Sequence, residues 1–183
     1  MKLGQIIKMV MTQAGEDLED IEDYRESIVI YINEGYREMM EKYRPVRTAT
    51  LYSDGGEIDL AAVRDLVRVR LVRNNESGRE VRFTAGGGER IKIGGADGTA
   101  YDVEYTFEPE VLEEETQEPQ IPQGALMALA DYATWRFYSN GNIAKQQRGQ
   151  FYYQRFLREL DRLKPQHQRG GGLRNFHGLY DVT

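Results

Sequence analysis

The sequence predicts an α+β fold: a helical bundle, made of one long helix and a C-terminal helical hairpin, with an inserted small antiparallel β domain and an extended C-terminal tail. Three observations carry this reading. Apolar residues recur at three- and four-residue spacing towards both ends of the chain, the period falls to two between Pro45 and Phe107, and the strands interrupt the helices instead of alternating with them. The implied divisions are 1–44 and 120–164 for a helical core, 45–108 for the inserted β domain, 109–119 for an acidic connector and 165–183 for a flexible C-terminal arm.

The first helix is expected from Lys2 to Gln13, where Leu3, Ile6, Ile7, Val10 and Met11 fall on one face and Gly15 stops it. The acidic run Glu16–Asp23 then complements the dipole of a second helix from Asp23 to Tyr43. Tyr24, Ile28, Ile32, Gly35, Tyr36, Met39 and Tyr43 form its inner stripe, and Pro45 ends it. Next, Val67, Val69 and Leu71 alternate with Arg68 and Arg70, Val81 and Phe83 with Arg82 and Thr84, and Tyr101 to Phe107 alternates throughout. Asp54-Gly55-Gly56, Asn74-Asn75, Gly86–Gly88 and Gly94–Gly98 separate these runs as hairpin turns, giving about five or six short strands in a small sheet or barrel.

Residues 108–123 carry six glutamates and three prolines, and are expected to be a solvated connector with no packed element. Pro122 sits where a helix can start, and Gly124–Ser139 is apolar on most sides through Leu126, Met127, Leu129, Ala130, Ala133, Trp135 and Phe137, so this helix should lie centrally. Asn140-Gly141 is expected to close it in the left-handed conformation while Asn142 caps the next helix. From Ile143 to Leu163 the stripe Tyr152, Tyr153, Phe156, Leu157, Leu160 and Leu163 faces inward, with Lys145, Arg148, Arg155, Arg158 and Arg162 outside it. Three successive glycines, Gly170–Gly172, leave the tail extended or unstructured until something binds it.

Composition narrows the function. With 183 residues and no cysteine, the chain can bury a real core, lacks thiol chemistry and disulfides, and suits a reducing cytoplasm. Its longest apolar run, Ala125–Ala130, is far short of the roughly 20 residues that span a bilayer, so a soluble protein without membrane contact is expected. The glycine clusters lack phosphate-loop spacing, His167 and His177 lie in the tail without metal-ligand spacing, and the carboxylates stand in runs instead of at ligand intervals. No catalytic, cofactor-binding or metal residues are assigned, and no cofactor is expected.

Charge is more informative than its net value of −6. Residues 1–144 hold 16 Lys/Arg against 27 Asp/Glu, whereas residues 145–183 hold eight against three, so an acidic body carries a basic end. This split suits self-association. Two candidate surfaces follow: a basic helix face of Lys145, Arg148, Arg155 and Arg158, and a docking arm of Lys164, Arg169, Leu173, Arg174, Phe176, Leu179 and Tyr180, for which an unstructured tail is the plain alternative. Arg68, Arg70, Arg79 and Arg82 on the predicted sheet either touch nucleic-acid phosphates or keep a face soluble by pairing with Asp102 and Glu104.

The helix Ser27–Met39, containing Ile32-Asn33-Glu34-Gly35-Tyr36-Arg37-Glu38, the approach Glu118-Pro119-Gln120-Ile121-Pro122, and the hairpin Leu126–Leu160 with Tyr152, Phe156 and Leu160 at four-residue steps resemble the head-to-tail adaptor (connector) proteins of tailed bacteriophages and gene-transfer particles. The resemblance covers roughly residues 20–163, with Val46–Phe107 similar to the β-insertions of larger adaptors. It implies a non-enzymatic virion protein made in the host cytoplasm. Copies would form a ring under the portal protein, dodecameric to match it, and extend the DNA channel. The ring would contact the next tail or neck component and let genomic DNA pass without sequence readout. Two other classes stay open at this level: a cytoplasmic nucleic-acid-binding module using Arg68, Arg70 and Arg82, marked by salt-dependent DNA affinity, and a metal-dependent hydrolase using the carboxylates, marked by chelator sensitivity.

Overall fold

A computed structural model describes residues 1–165. It has mixed α+β architecture, with four helices and a six-stranded antiparallel sheet, divided into two compact units. Among the described residues, one unit comprises Met1–Arg44 together with 109–165, and the other is Pro45–Glu108. The docking-arm residues Arg169, Leu173, Arg174, Phe176, Leu179 and Tyr180 lie outside the described residues, as do His167 and His177.

The helical unit begins with α1 (Leu3–Ala14), whose Leu3, Ile6, Ile7, Val10 and Met11 are all buried, as their spacing requires. Gly15 closes it in the left-handed region at φ 73°. The Asp17 carboxylate accepts the Glu19 N–H and caps a short 3₁₀ turn, Leu18–Asp20, which feeds directly into α2 (Ile21–Tyr43). The helix therefore starts two residues ahead of the expected Asp23, because the 3₁₀ turn already supplies its first carbonyl acceptors.

α3 (Leu126–Ser139) packs on α1, α2 and α4 (Ile143–Arg162), which accounts for its nearly all-round apolar surface. Ala128, Leu129, Ala130 and Ala133 are fully buried, while Met127 remains exposed and Trp135 and Phe137 are half-buried. The expected left-handed closure at Asn140-Gly141 is not used: Asn140 sits at φ −87° and ψ 0°, and Asn142 supplies the cap by accepting the Lys145 N–H at 3.0 Å.

α2 and α3 come into tight contact where Gly35 of α2 meets Tyr132 of α3. A Cβ at Gly35 would lie 2.8 Å from Tyr132 Cγ and 3.0 Å from its Cβ, too near the root of that side chain for it to swing away. Tyr132 is itself wedged edge-on against Phe156 at 4.8 Å, and its hydroxyl pKa is pushed up to about 12, mainly by burial and further by Glu38 and Glu34. Gly35→Val is therefore expected to destabilise the protein by about 1–3 kcal/mol despite the better helix propensity of valine. A melting curve checks it; an unchanged Tm would mean that the helices do not approach here.

The expectation of a solvated connector is overturned. Between Pro109 and Pro122, Leu112, Pro119 and Ile121 are buried, and Asn33 of α2 clamps the Leu112 backbone on both sides, accepting its N–H at 2.8 Å and donating to its carbonyl at 2.9 Å. The connector also completes α1: the Leu3 and Gly4 N–H groups, which have no intrahelical acceptors, donate to the Gln117 and Glu115 carbonyls. The glutamates point outward, so an acidic composition concealed a packed backbone. Pro122 leads into a 3₁₀ turn, Gln123–Ala125, before α3.

In the β unit, β1 (Val46–Asp54), β2 (Glu57–Asp59), β3 (Leu66–Asn74), β4 (Phe83–Ala85), β5 (Arg90–Ile93) and β6 (Ala100–Phe107) are ordered β3-β6-β1-β2-β5-β4. β1 is shared, pairing through Val46–Tyr52 with β6 and through Ser53 and Asp54 with β2. Gly55 and Gly56, both at positive φ, make the two-residue β1–β2 turn, and Gly86–Gly88 joins the paired β4 and β5. Gly94–Gly98 is not a hairpin turn, because β5 and β6 do not pair: it carries the chain past β2 and β1 to the other half of the sheet.

Strict alternation holds in β6, where Tyr101, Val103, Tyr105 and Phe107 are buried. It fails in β3. Register shifts between Leu66 and Arg68 and between Val69 and Leu71 put Val69 and Val72 in the core, leaving Val67 50% exposed and Leu71 only partly covered.

Candidate assembly interface

The basic face expected from the sequence runs along α4. Arg148, Phe151, Arg155, Arg158 and Arg162 follow at alternating three- and four-residue steps, which places them on one side of the helix. Arg148 and Arg158 are exposed and make no ion pair with a carboxylate of the described residues. Lys145 is exposed at the start of the helix, its Nζ 3.4 Å from Glu16 Oε1, and Lys164 is exposed just beyond the helix end. The inward stripe is thinner than expected: on α4 only Gly149 and Phe156 are fully enclosed, and Tyr152, Tyr153, Leu157 and Leu160 are half-covered.

Arg155 departs most from the expectation that it lies outside the packed stripe. Its Nε is 3.2 Å from Oδ2 of Asp131, a carboxylate of α3 that is only 2% exposed. Asp131 Oδ1 accepts a hydrogen bond from Gln13 Nε2 at 3.1 Å, while Gln13 Oε1 accepts from the Thr134 hydroxyl at 2.6 Å. The hydroxyls of Tyr138 and Tyr152 both donate to the Gln13 carbonyl at 3.2 Å. One polar knot thus ties the end of α1 to α3 and α4.

Burial raises the pKa of Asp131, and the opposing pull of Arg155, followed by the Gln13 hydrogen bond, limits the rise. Sequence reading missed Gln13, Asp131, Thr134 and Phe151. The available signal was Asp131 itself, a charge in an otherwise apolar helix, which must find a partner when buried.

Beside this knot, Met127, Arg155, Arg158, Glu159 and Arg162 line an open cleft of about 290 Å³. Phe151 is 59% exposed, with the Arg155 guanidinium 5.7 Å from its ring centre. An exposed aromatic flanked by arginines is the composition of a protein-binding surface.

The sheet arginines present a different picture. Arg70 Nη1 is 3.9 Å from Glu104 Oε1, and both side chains are largely covered. Asp102 is held below the usual carboxylate range by hydrogen bonds from Thr50 and Asn75, with Arg73 contributing. Arg79 and Arg82 are exposed. The charge pairing expected of a soluble sheet face is present at Arg70, whose guanidinium charge is thereby engaged by a carboxylate. Among the described residues no cluster of three or more His, Asp or Glu side chains is arranged to hold a metal ion, and no helix is long and apolar enough to cross a membrane.

A family model described as SU10 adaptor protein matches residues 1–175. The chain belongs to this family of phage head-to-tail adaptors. The match begins ahead of α1 and spans the β unit, so it is wider than the 20–163 on which the sequence resemblance rested, and the described residues of both units fall inside it. No curated protein matches the chain. The adaptor is thus a bacteriophage structural protein of the head–tail connector type, and the α4 surface is the best-formed candidate for its contacts.

Proposed function

We propose that copies of this adaptor form a ring beneath the portal protein, dodecameric to match it, that extends the DNA channel and joins capsid to tail in the neck of the virion. The observation that carries the reading is the family match over residues 1–175. The charge split supports it, because an acidic body and a basic end give each subunit two unlike patches, the requirement for heterologous contacts that close by rotation. No reaction is needed for this role. The partners are the portal, neighbouring copies and the next tail or neck component, with DNA passing unread along a lumen whose acidic lining repels phosphate. In this reading residues 165–183 are the docking arm.

The test is the mass in solution, by light scattering, of the full chain and of a version ending at Lys164, each alone and mixed with the cognate portal. The expected result is a portal-bound ring of matching copy number for the full chain and failure of the shortened one. A full chain that stays monomeric and ignores the portal at every salt concentration removes the reading. Retained ring formation by the shortened chain removes the docking arm alone.

A further inference from the structure

We propose that the stripe Arg148, Phe151, Arg158 and Arg162 on α4 is the docking surface for the acidic turn Glu16–Asp23 of a second copy of this chain, with Leu18 as its apolar anchor. The inference deepens the ring reading and rests on it for the closure of the contact.

Each side has what the other lacks. The turn carries six carboxylates in eight residues, and Glu19, Asp20, Glu22 and Asp23 are all exposed, without an ion pair to any described cation. In its centre Leu18 is 49% exposed, an apolar side chain held outward by the Asp17-capped 3₁₀ turn. Exposed Phe151 of α4 and Met127 of α3 lie beside the arginines, and the cleft of about 290 Å³ has room for a partner's side chain.

One copy cannot satisfy the far end of the stripe, Arg158 and Arg162, with its own acidic turn. Glu16 is held at the first turn of α4 by Lys145, whereas Arg158 lies thirteen residues further along, about 20 Å at the helical rise. The turn is also fixed between α1 and α2, with Gly15 and Asp17 setting its geometry, so it cannot reach back. Two unlike patches, the acidic turn between α1 and α2 and the basic stripe along α4, each complementary to the other, define a head-to-tail contact between copies.

The absence of cysteine from the chain makes the test clean. In the full-length protein, Leu18→Cys combined with Phe151→Cys is expected to give, on mild oxidation, a ladder of covalent species beyond the dimer, while each single variant stops at dimer. Separately, Arg148→Glu with Arg158→Glu is expected to weaken self-association by about tenfold or more, and adding Glu19→Arg with Asp20→Arg to recover most of it, since like charges are then replaced by a reversed pair. All four charged positions are exposed and Arg155 is left in place, so the fold is retained; circular dichroism verifies this. A full chain that assembles, but gives neither ladder nor charge rescue, overturns this contact and leaves the ring. A full chain that never self-associates, with or without portal, overturns both.

Discussion

Phe156→Ala is expected to lower stability by about 3–5 kcal/mol, the range for truncating an enclosed aromatic. Phe156 has no exposed surface and is the one large side chain that α4 buries completely. It meets Tyr132 edge-on at 4.8 Å and lies parallel to Tyr153 at 6.4 Å, so its loss opens a cavity against the helix at the centre of the unit. Tyr132 cannot fill that space without leaving Gly35, against which it is already in tight contact. For a chain of this length the loss corresponds to a fall in Tm of roughly 6–20 °C. Chemical denaturation gives the free energy directly, and a change below about 1 kcal/mol would show that α4 does not pack on α3 as described.

The second large effect is expected at Arg155. Replacing it with alanine leaves Asp131 buried with the Gln13 amide as its hydrogen-bond donor, and with the smaller pull of Arg158 set against the repulsion of Glu159. Breaking a buried pair from one side costs about 3–5 kcal/mol, and because the Arg155 side chain is 34% exposed the expected loss at neutral pH is nearer 2–3 kcal/mol. The pH dependence identifies the cause. Asp131 has a raised pKa in the folded state, so above the ordinary aspartate value near 3.8 the folded protein holds a proton that the unfolded chain has released. Its contribution to stability is therefore full at low pH and is lost as pH rises through the folded pKa. Removing Arg155 raises that pKa further. The gap in Tm between the parent and Arg155→Ala should thus be wider at about pH 7 than at about pH 4, and should lose this dependence in an Asp131→Asn background. A gap independent of pH in the parent background would mean that Arg155 acts by packing alone.

Both effects lie beneath the proposed docking stripe, which separates two kinds of variant. Changes at Phe156 or Arg155 act through the fold, whereas Arg148 and Arg158 are exposed, so changes there act first on a surface, with Arg158 adding only a small pull on Asp131. An assembly defect confined to the second pair speaks to subunit contact. The same defect at Arg155 does not, because that side chain serves the polar knot and the surface together.

Features whose causes lie within a few residues were legible in the chain. The apolar spacing in α1, the glycine that stops it, the Asn142 cap, the Gly55-Gly56 turn and the alternation in β6 all matched, because each is set by backbone geometry over one turn or one hairpin. The basic face of α4 was legible for the same reason, since helical spacing alone brings Arg148, Arg155 and Arg158 to one side.

Other features depended on partners far away in sequence. Asn33 meets Leu112 across 79 positions, and Gln13 meets Asp131 across 118, so no local pattern marked the connector as packed or Arg155 as the partner of a buried carboxylate. The sheet order β3-β6-β1-β2-β5-β4 and the bulges of β3 were likewise fixed by which strands shared one core, with Val72 drawn in and Val67 turned out. By itself the sequence determined the α+β class, the capped helices and the division of charge, because these arise from local periodicity and composition. Tertiary structure alone decided the strand order, the packed connector and the pairing of Asp131, because a buried backbone group or charge is satisfied by whatever polar atom the completed fold brings within hydrogen-bond reach.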